Sequence, residues 1–109
     1  MEFHIGCDIV QISRFAERLR ADGFLDRVFL PSETADASLS SLAGRFAAKE
    51  AACKAFGVPA GHWHAVSVSK ASNGAPELRL LDPFPERAEA SVSISHDGDY
   101  AFAVVAVLL

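Results

Sequence analysis

The stretch RFAAKEAACKAFG, Arg45 to Gly57, decides how this 109-residue chain is read. Alanines at 43, 47, 48, 51, 52 and 55 favour helix and let neighbouring elements approach closely. The spacing predicts a main helix from Leu42 to Phe56, closed by Gly57 in the left-handed conformation, with Pro59 preventing continuation. Against this small-residue background stand Arg45, Lys49, Glu50 and Lys54. Glu50 and Lys54 are one turn apart and share a face, which alone describes a surface ion pair worth a few tenths of a kcal/mol. Arg45 and Lys49 repeat the spacing on an adjacent face with no acid to balance them, so they would welcome an anion supplied from elsewhere.

Upstream, EFHIGCDIV alternates, with Phe3, Ile5, Cys7 and Ile9 as the apolar face of a half-buried strand and Asp8 on its polar face near the end. Ser13 is expected to cap a helix beginning at Arg14. Phe15, Leu19 and Ala16 form its buried stripe, Arg14 and Arg18 its exposed side, and Gly23 its end. PSETADA reads as a short helical turn started at Pro31 or Ser32, followed by a serine-rich linker to about Ser41. Downstream the period changes to two. AVSVS and ELRLL alternate around ASNGAP, where Asn73-Gly74 is a hairpin signal. Leu81 to Glu89 is a proline-containing connection, SVSIS alternates again, and HDGD turns. YAFAVVAVLL is a nearly continuous apolar strand, either buried on both faces or used at a subunit contact. Together these elements predict one α+β domain over residues 1–109: an N-terminal strand, helices, then an antiparallel β meander.

Composition narrows the function classes. Half the residues are hydrophobic and 22% are charged, an ordinary globular balance. A net charge of -4 argues against a general nucleic-acid partner. No apolar run approaches the ~20 residues that cross a bilayer, and the N-terminus does not read as a signal peptide, so no membrane role and a cytoplasmic location are expected. Cys7 and Cys53 are too few for a disulfide framework and read as reduced thiols, a redox pair being the alternative. Positive charge gathers in two places: Arg14, Arg18, Arg20 and Arg27 early, and Arg45, Lys49 and Lys54 on the main helix.

A cationic edge beside Glu50, with Asp8 on a nearby strand, would suit a metal-bound diphosphate. Magnesium commonly takes one or two carboxylates and leaves its other positions to water and phosphate. Taken singly, Asp8 reads equally as a solvated strand-end acid, and Ser95 and His96 in SISH as turn residues. The pair His62 and His64 in HWH is too close in a short loop for converging metal ligands.

In order along the chain, IGCDIV, Arg14, FLDRVFLPSE, LAGRFAAKEAACKAFG, NGAP and VSISHDGDYAFAVV resemble the holo-acyl carrier protein synthases. These are the small single-domain branch of the phosphopantetheinyl transferases, and the resemblance spans almost the whole chain. It implies the phosphopantetheinyl transferase fold in a homotrimer with active sites at subunit interfaces. The implied activity is Mg-dependent transfer of 4'-phosphopantetheine from coenzyme A to a serine of apo-acyl carrier protein, in fatty acid biosynthesis. Adenosine 3',5'-bisphosphate is released. By the same resemblance Asp8 and Glu50 hold magnesium, and Lys54 sits near the diphosphate, assisting the leaving group or proton transfer. Arg45, Lys49 and His96 contact phosphates, and Asn73, Gly74, Pro76 and Ser95 help to hold adenine and ribose. Arg14, followed by Arg18 and Arg20, meets the acidic carrier protein. Glu50, Lys54 or a metal-bound water each stand as the proton acceptor. Two departures from the family pattern are Ala75, where a basic residue often sits, and a shortened segment before the main helix. Two other classes remain: a non-catalytic module binding carrier protein or coenzyme A, and a magnesium-dependent coenzyme A hydrolase.

Overall fold

The computed structural model describes residues 1–35 and 37–109. In chain order the elements are β1 (Phe3–Gln11), α1 (Ile12–Arg18), α2 (Phe24–Val28), α3 (Pro31–Thr34) and α4 (Leu39–Phe56). A 3-10 turn at Trp63–Ala65 then leads to β2 (Val66–Lys70), β3 (Pro76–Leu80), β4 (Glu89–Asp97) and β5 (Tyr100–Leu108). The architecture is α+β with antiparallel strands, as expected, but the strands form two sheets rather than one meander. β2 and β3 make a two-stranded hairpin, while the second sheet has the order β1-β5-β4, so the last strand lies between the first and the fourth.

The main helix explains this arrangement. α4 starts three residues before the expected Leu42, because Ser38 accepts a hydrogen bond from the Ser41 amide at 3.2 Å and caps it. Gly57, at φ 70°, closes the other end as expected. Small side chains let β1 and β5 press onto it from one side: Ala47, Ala48, Ala51, Ala52 and Ala55 are buried, as are Ala101, Ala103, Val105 and Val107 of β5.

β1 is turned over relative to the sequence reading. Its even-numbered residues face α4, with Gly6 and Val10 buried and His4 and Asp8 half-buried. The expected buried face points outward instead: Phe3, Ile5 and Ile9 are 65%, 73% and 64% exposed. The reason is the approach of strand to helix. A Cβ on Gly6 would overlap the Ala51 carbonyl oxygen and lie 2.7 Å from the Ala55 amide nitrogen, so only glycine fits between them. β5 continues the outer face, since Ile9 pairs with Phe102 and Cys7 with Val104. Phe102 and Val104 are exposed while their neighbours on the strand are buried. The apolar β5 is therefore covered on one face by α4, and its other face joins an exposed apolar patch.

The first helix also differs in its ends. Ser13 is not its cap. The Asp99 carboxylate, from the two-residue turn between β4 and β5, accepts from the Ser13 amide at 3.0 Å and from the Ser13 hydroxyl at 2.6 Å. α1 ends at Arg18, and Gly23, at φ 78°, precedes α2 rather than closing α1. Phe15 is its buried residue and packs among Phe24, Phe29 and Phe46, with ring centroids 5.1 to 6.4 Å apart.

Candidate active site

Asp8 leaves β1 beside the middle of α4, where Lys54 meets it: the ammonium donates to Asp8 Oδ1 at 2.7 Å and to the Cys7 carbonyl at 3.4 Å. One turn earlier on the helix, Glu50 Oε1 accepts from the indole N–H of Trp63 at 2.5 Å. Both carboxylates line a cleft of about 420 Å³ whose apolar wall includes Phe15, Phe46 and Trp63 and whose rim carries Arg14 and Arg18. The Arg18 guanidinium lies over the Phe24 and Phe46 rings, 4.6 and 5.3 Å from their centroids. The structure thus brings together Asp8, Glu50, Arg14 and Arg18, with Lys54 on Asp8. Arg20 is exposed beyond the end of α1 and does not line the cleft.

The Asp8 hydrogen bond is the largest influence on Lys54 and raises its pKa above the ordinary lysine value, outweighing the cost of partial burial. Paired in this way with Asp8, Lys54 carries positive charge at the cleft near neutral pH.

The reading of Lys49 as a phosphate contact is corrected. Its side chain is fully buried, and its ammonium lies 2.7 Å from Glu33 Oε1. It also donates to the Trp63 carbonyl at 3.0 Å and the Val66 carbonyl at 2.7 Å. The balancing acid came from α3. Glu33 is itself buried and accepts from the Leu30 and Val68 amides, which satisfies both of its oxygens. Burial is the leading influence on Lys49 and lowers its pKa, with the Glu33 hydrogen bond opposing. A charge enclosed in this way cannot reach a ligand.

Four of the other expected nucleotide residues gather in a second place. Arg45, Gly74, Pro76 and His96 line a smaller pocket of about 130 Å³ between α4, the β2-β3 hairpin and β4. Arg45 donates to the Glu33 carbonyl. His96 Nε2 donates to the Ser40 carbonyl at 2.9 Å, and Gly44 leaves room for its ring. Asn73 shapes the hairpin turn, its side-chain oxygen accepting from the Ala75 amide at 3.0 Å. Ser95 stands apart from this group: it pairs with Phe102, on the outer face of the sheet, while Ile94 and His96 face the pocket.

Two residues that matter to the site escaped the sequence reading. Trp63 engages Glu50, and Glu33 neutralises Lys49. For Trp63 the available signal was its being the chain's single tryptophan, seven residues past the end of the main helix. His62 and His64 flank it, and His64 Nε2 donates to the Asp26 carbonyl at 2.9 Å. Cys7 and Cys53 are free thiols, one exposed and one buried. Burial, then nearby Glu50, pushes the Cys53 thiol pKa up.

The donor set suits a hard divalent cation. Two carboxylates share one cleft, and among the described residues each has one oxygen engaged within the chain, leaving Asp8 Oδ2 and Glu50 Oε2 available.

Paired carboxylates on an alanine-rich helix and an adjoining strand of a small α+β domain, with arginines at the rim, can hold a cation beside an anionic ligand. The family model described as the 4'-phosphopantetheinyl transferase superfamily matches residues 4–105, and the chain belongs to that family. It is 39% identical over 109 residues to the holo-[acyl-carrier-protein] synthase of Frankia alni, covering 93% of this chain and 92% of that one. It is 42% identical to that of Pseudarthrobacter chlorophenolicus, covering 93% of each. Among solved structures it resembles the Helicobacter pylori holo-[acyl-carrier-protein] synthase in complex with coenzyme A, with a TM-score of 0.85 and 37% identity over 95% of this chain and 99% of that one. It also resembles the Mycobacterium tuberculosis acyl carrier protein synthase, with a TM-score of 0.75 and 32% identity over 96% of each chain.

Proposed function

We propose that this protein is a holo-acyl carrier protein synthase, which moves the 4'-phosphopantetheine arm of coenzyme A to a serine of an acyl carrier protein. The observation that carries this reading is the meeting of Asp8 and Glu50 in one cleft rimmed by Arg14, in a chain related over nearly its whole length to such enzymes. In the reaction the serine oxygen forms a bond to the phosphorus bearing pantetheine. The phosphoanhydride bond to adenosine 3',5'-bisphosphate breaks, and the serine proton is lost.

Each residue then has a task. Asp8 and Glu50 would hold magnesium, whose chemistry is to neutralise and align the diphosphate oxygens. Lys54, kept protonated by Asp8, adds positive charge toward the leaving phosphate. Glu50, Lys54 or a metal-bound water would accept the serine proton. The pocket of Arg45, His96, Gly74 and Pro76 is the place for the nucleotide end of coenzyme A, with the Asn73 turn as its border. Arg14 and Arg18 present charge at the cleft rim to an acidic carrier protein, steering its approach. Arg20 supports this from outside the cleft.

The outer face of β1 and β5 supports the homotrimer. Phe3, Ile5, Ile9, Phe102 and Val104 form an apolar surface that association between copies would bury. Ser95 lies on that same face, so in the assembly it would act toward a neighbouring subunit's site. Two free thiols fit a reducing cytoplasm, the compartment of this reading.

Intact-mass spectrometry of apo-acyl carrier protein incubated with this protein, coenzyme A and magnesium tests the assignment. The carrier should gain one phosphopantetheine mass, and Glu50→Ala should abolish the gain. No gain with several carriers, despite coenzyme A binding, would overturn the transferase and leave a non-catalytic binding module or, where coenzyme A is consumed without carrier, a hydrolase. Arg14→Glu should raise KM for the carrier while leaving coenzyme A binding intact, and an unchanged KM would remove Arg14 from the contact.

A further inference from the structure

A carboxylate that must hold a cation needs its own orientation fixed, and in this chain the fixing group is an indole. Glu50 projects from α4 with one hydrogen-bond partner among the described residues, the Trp63 indole, which donates to Oε1 at 2.5 Å. Trp63 is in turn held at both ends by consecutive residues of the same helix. Lys49 grips its backbone carbonyl at 3.0 Å while Glu50 receives its side-chain N–H. Lys49 is anchored by buried Glu33 at 2.7 Å. The indole has little freedom to leave, because it packs against Phe24 and Phe46 with ring centroids 5.9 and 6.0 Å away. One oxygen of Glu50 is thereby occupied, and the other is left to the cleft that Asp8 also lines.

We propose that Trp63 is a positioning residue for Glu50, clamped by Glu33 and Lys49, and that it sets how tightly the two-carboxylate site holds a divalent cation. The inference rests on the synthase reading, since it concerns the cation that Asp8 and Glu50 would share. It assigns the buried Glu33–Lys49 pair a purpose at the site although neither side chain lines the cleft. Groups that orient metal ligands commonly change metal affinity by about 10- to 100-fold when removed. Trp63 is also the only tryptophan in the chain, so its emission reports on the charge state beside it without any label.

The test compares the full-length protein with Trp63→Phe and with a chain carrying 3-benzothienylalanine at position 63, which keeps the bicyclic shape and removes the N–H. Free Mn2+ is followed by electron paramagnetic resonance in the presence of coenzyme A. Both variants should bind Mn2+ about tenfold more weakly than wild type. Both should lower kcat at limiting Mg2+ and recover it as Mg2+ is raised, a rescue that a loss of folding would not show. In wild type, Mg2+ with coenzyme A should shift the Trp63 emission saturably, with the same midpoint as activity. Unchanged Mn2+ affinity and kcat in the benzothienylalanine chain would overturn the proposal, as would wild-type emission that stays constant while activity saturates with Mg2+. These results differ from failure of the synthase reading itself, in which wild type transfers no phosphopantetheine.

Discussion

Replacing Gly6 by alanine should disable the enzyme while adding a single methyl group at a distance from any reacting atom. The built Cβ lies 2.7 Å from the Ala55 amide nitrogen and closer still to the Ala51 oxygen, both backbone atoms that cannot rotate away. Bringing the first approach to the 3.4 Å of ordinary contact requires β1 to lift from α4 by about 0.7 Å, and the second requires more. Overpacking of this kind costs about 1–3 kcal/mol. The larger consequence is for Asp8, on the same face of the strand two residues on, whose position relative to Glu50 is set by that spacing. A misplacement approaching 1 Å costs roughly 100-fold in rate, so kcat should fall by about 10- to 100-fold. Gly57→Ala is the control: it strains a residue at φ 70° with open space around it, costing about 1 kcal/mol without moving β1. Urea unfolding and a mass-spectrometric time course measure both quantities. If Gly6→Ala loses stability as Gly57→Ala does but keeps its kcat, the close packing of β1 on α4 is not what places Asp8.

Three other outcomes are expected. Lys49→Met should destabilise the protein by about 3–5 kcal/mol in urea, because it strands the buried Glu33 carboxylate; unchanged stability with weakened coenzyme A binding would restore the phosphate contact first expected of it. If the proposed homotrimer uses the outer face, Ile5→Asp should sediment as monomer and abolish transfer with it, and a full trimer with this substitution would move the subunit contact elsewhere. Lys54 has its pKa raised in the folded state, so it binds its proton more tightly there than in the unfolded chain. Its stabilising effect is complete below the ordinary lysine value of 10.5 and fades as pH rises through the folded value. The stability difference between wild type and Lys54→Met should therefore be level at neutral pH and shrink above about pH 10.5; a difference that grows with alkalinity would contradict the Asp8 pairing.

Local signals carried the helices and hairpins. Gly57 and Asn73-Gly74 act through their own backbone conformations, and the alanines of α4 through propensity and size, so each could be read from its neighbours. What failed depended on partners distant in the chain. The alternation in β1 correctly marked a strand, but which face is buried was decided by Gly6 fitting against Ala51, 45 positions away. Since the larger apolar residues lie on the other face, size alone pointed the wrong way. Lys49 looked unbalanced because its acid, Glu33, sits 16 positions earlier on a short helix whose packing leaves no local pattern. Asp8, Glu50 and Lys54 were legible as a group through the resemblance, and helical spacing supports the last two. Trp63 was not, since a donor reaching Glu50 from the loop after the helix has no fixed spacing to find.

The pairing of the first strand with the last places a constraint on how this protein is made. Among the described residues β1 has no ladder partner other than β5, and the helix carrying Arg14 is capped by Asp99. The aspartate of the cleft therefore has no seat until its register partner, Ala103, 95 positions further along the chain, has paired beside it. Until then the apolar side chains of β1 have no sheet to rest on. Folding of this chain is thus a closing event across most of its length, and the same ladder that seats Asp8 also completes the apolar outer face of Phe3, Ile5, Ile9, Phe102 and Val104.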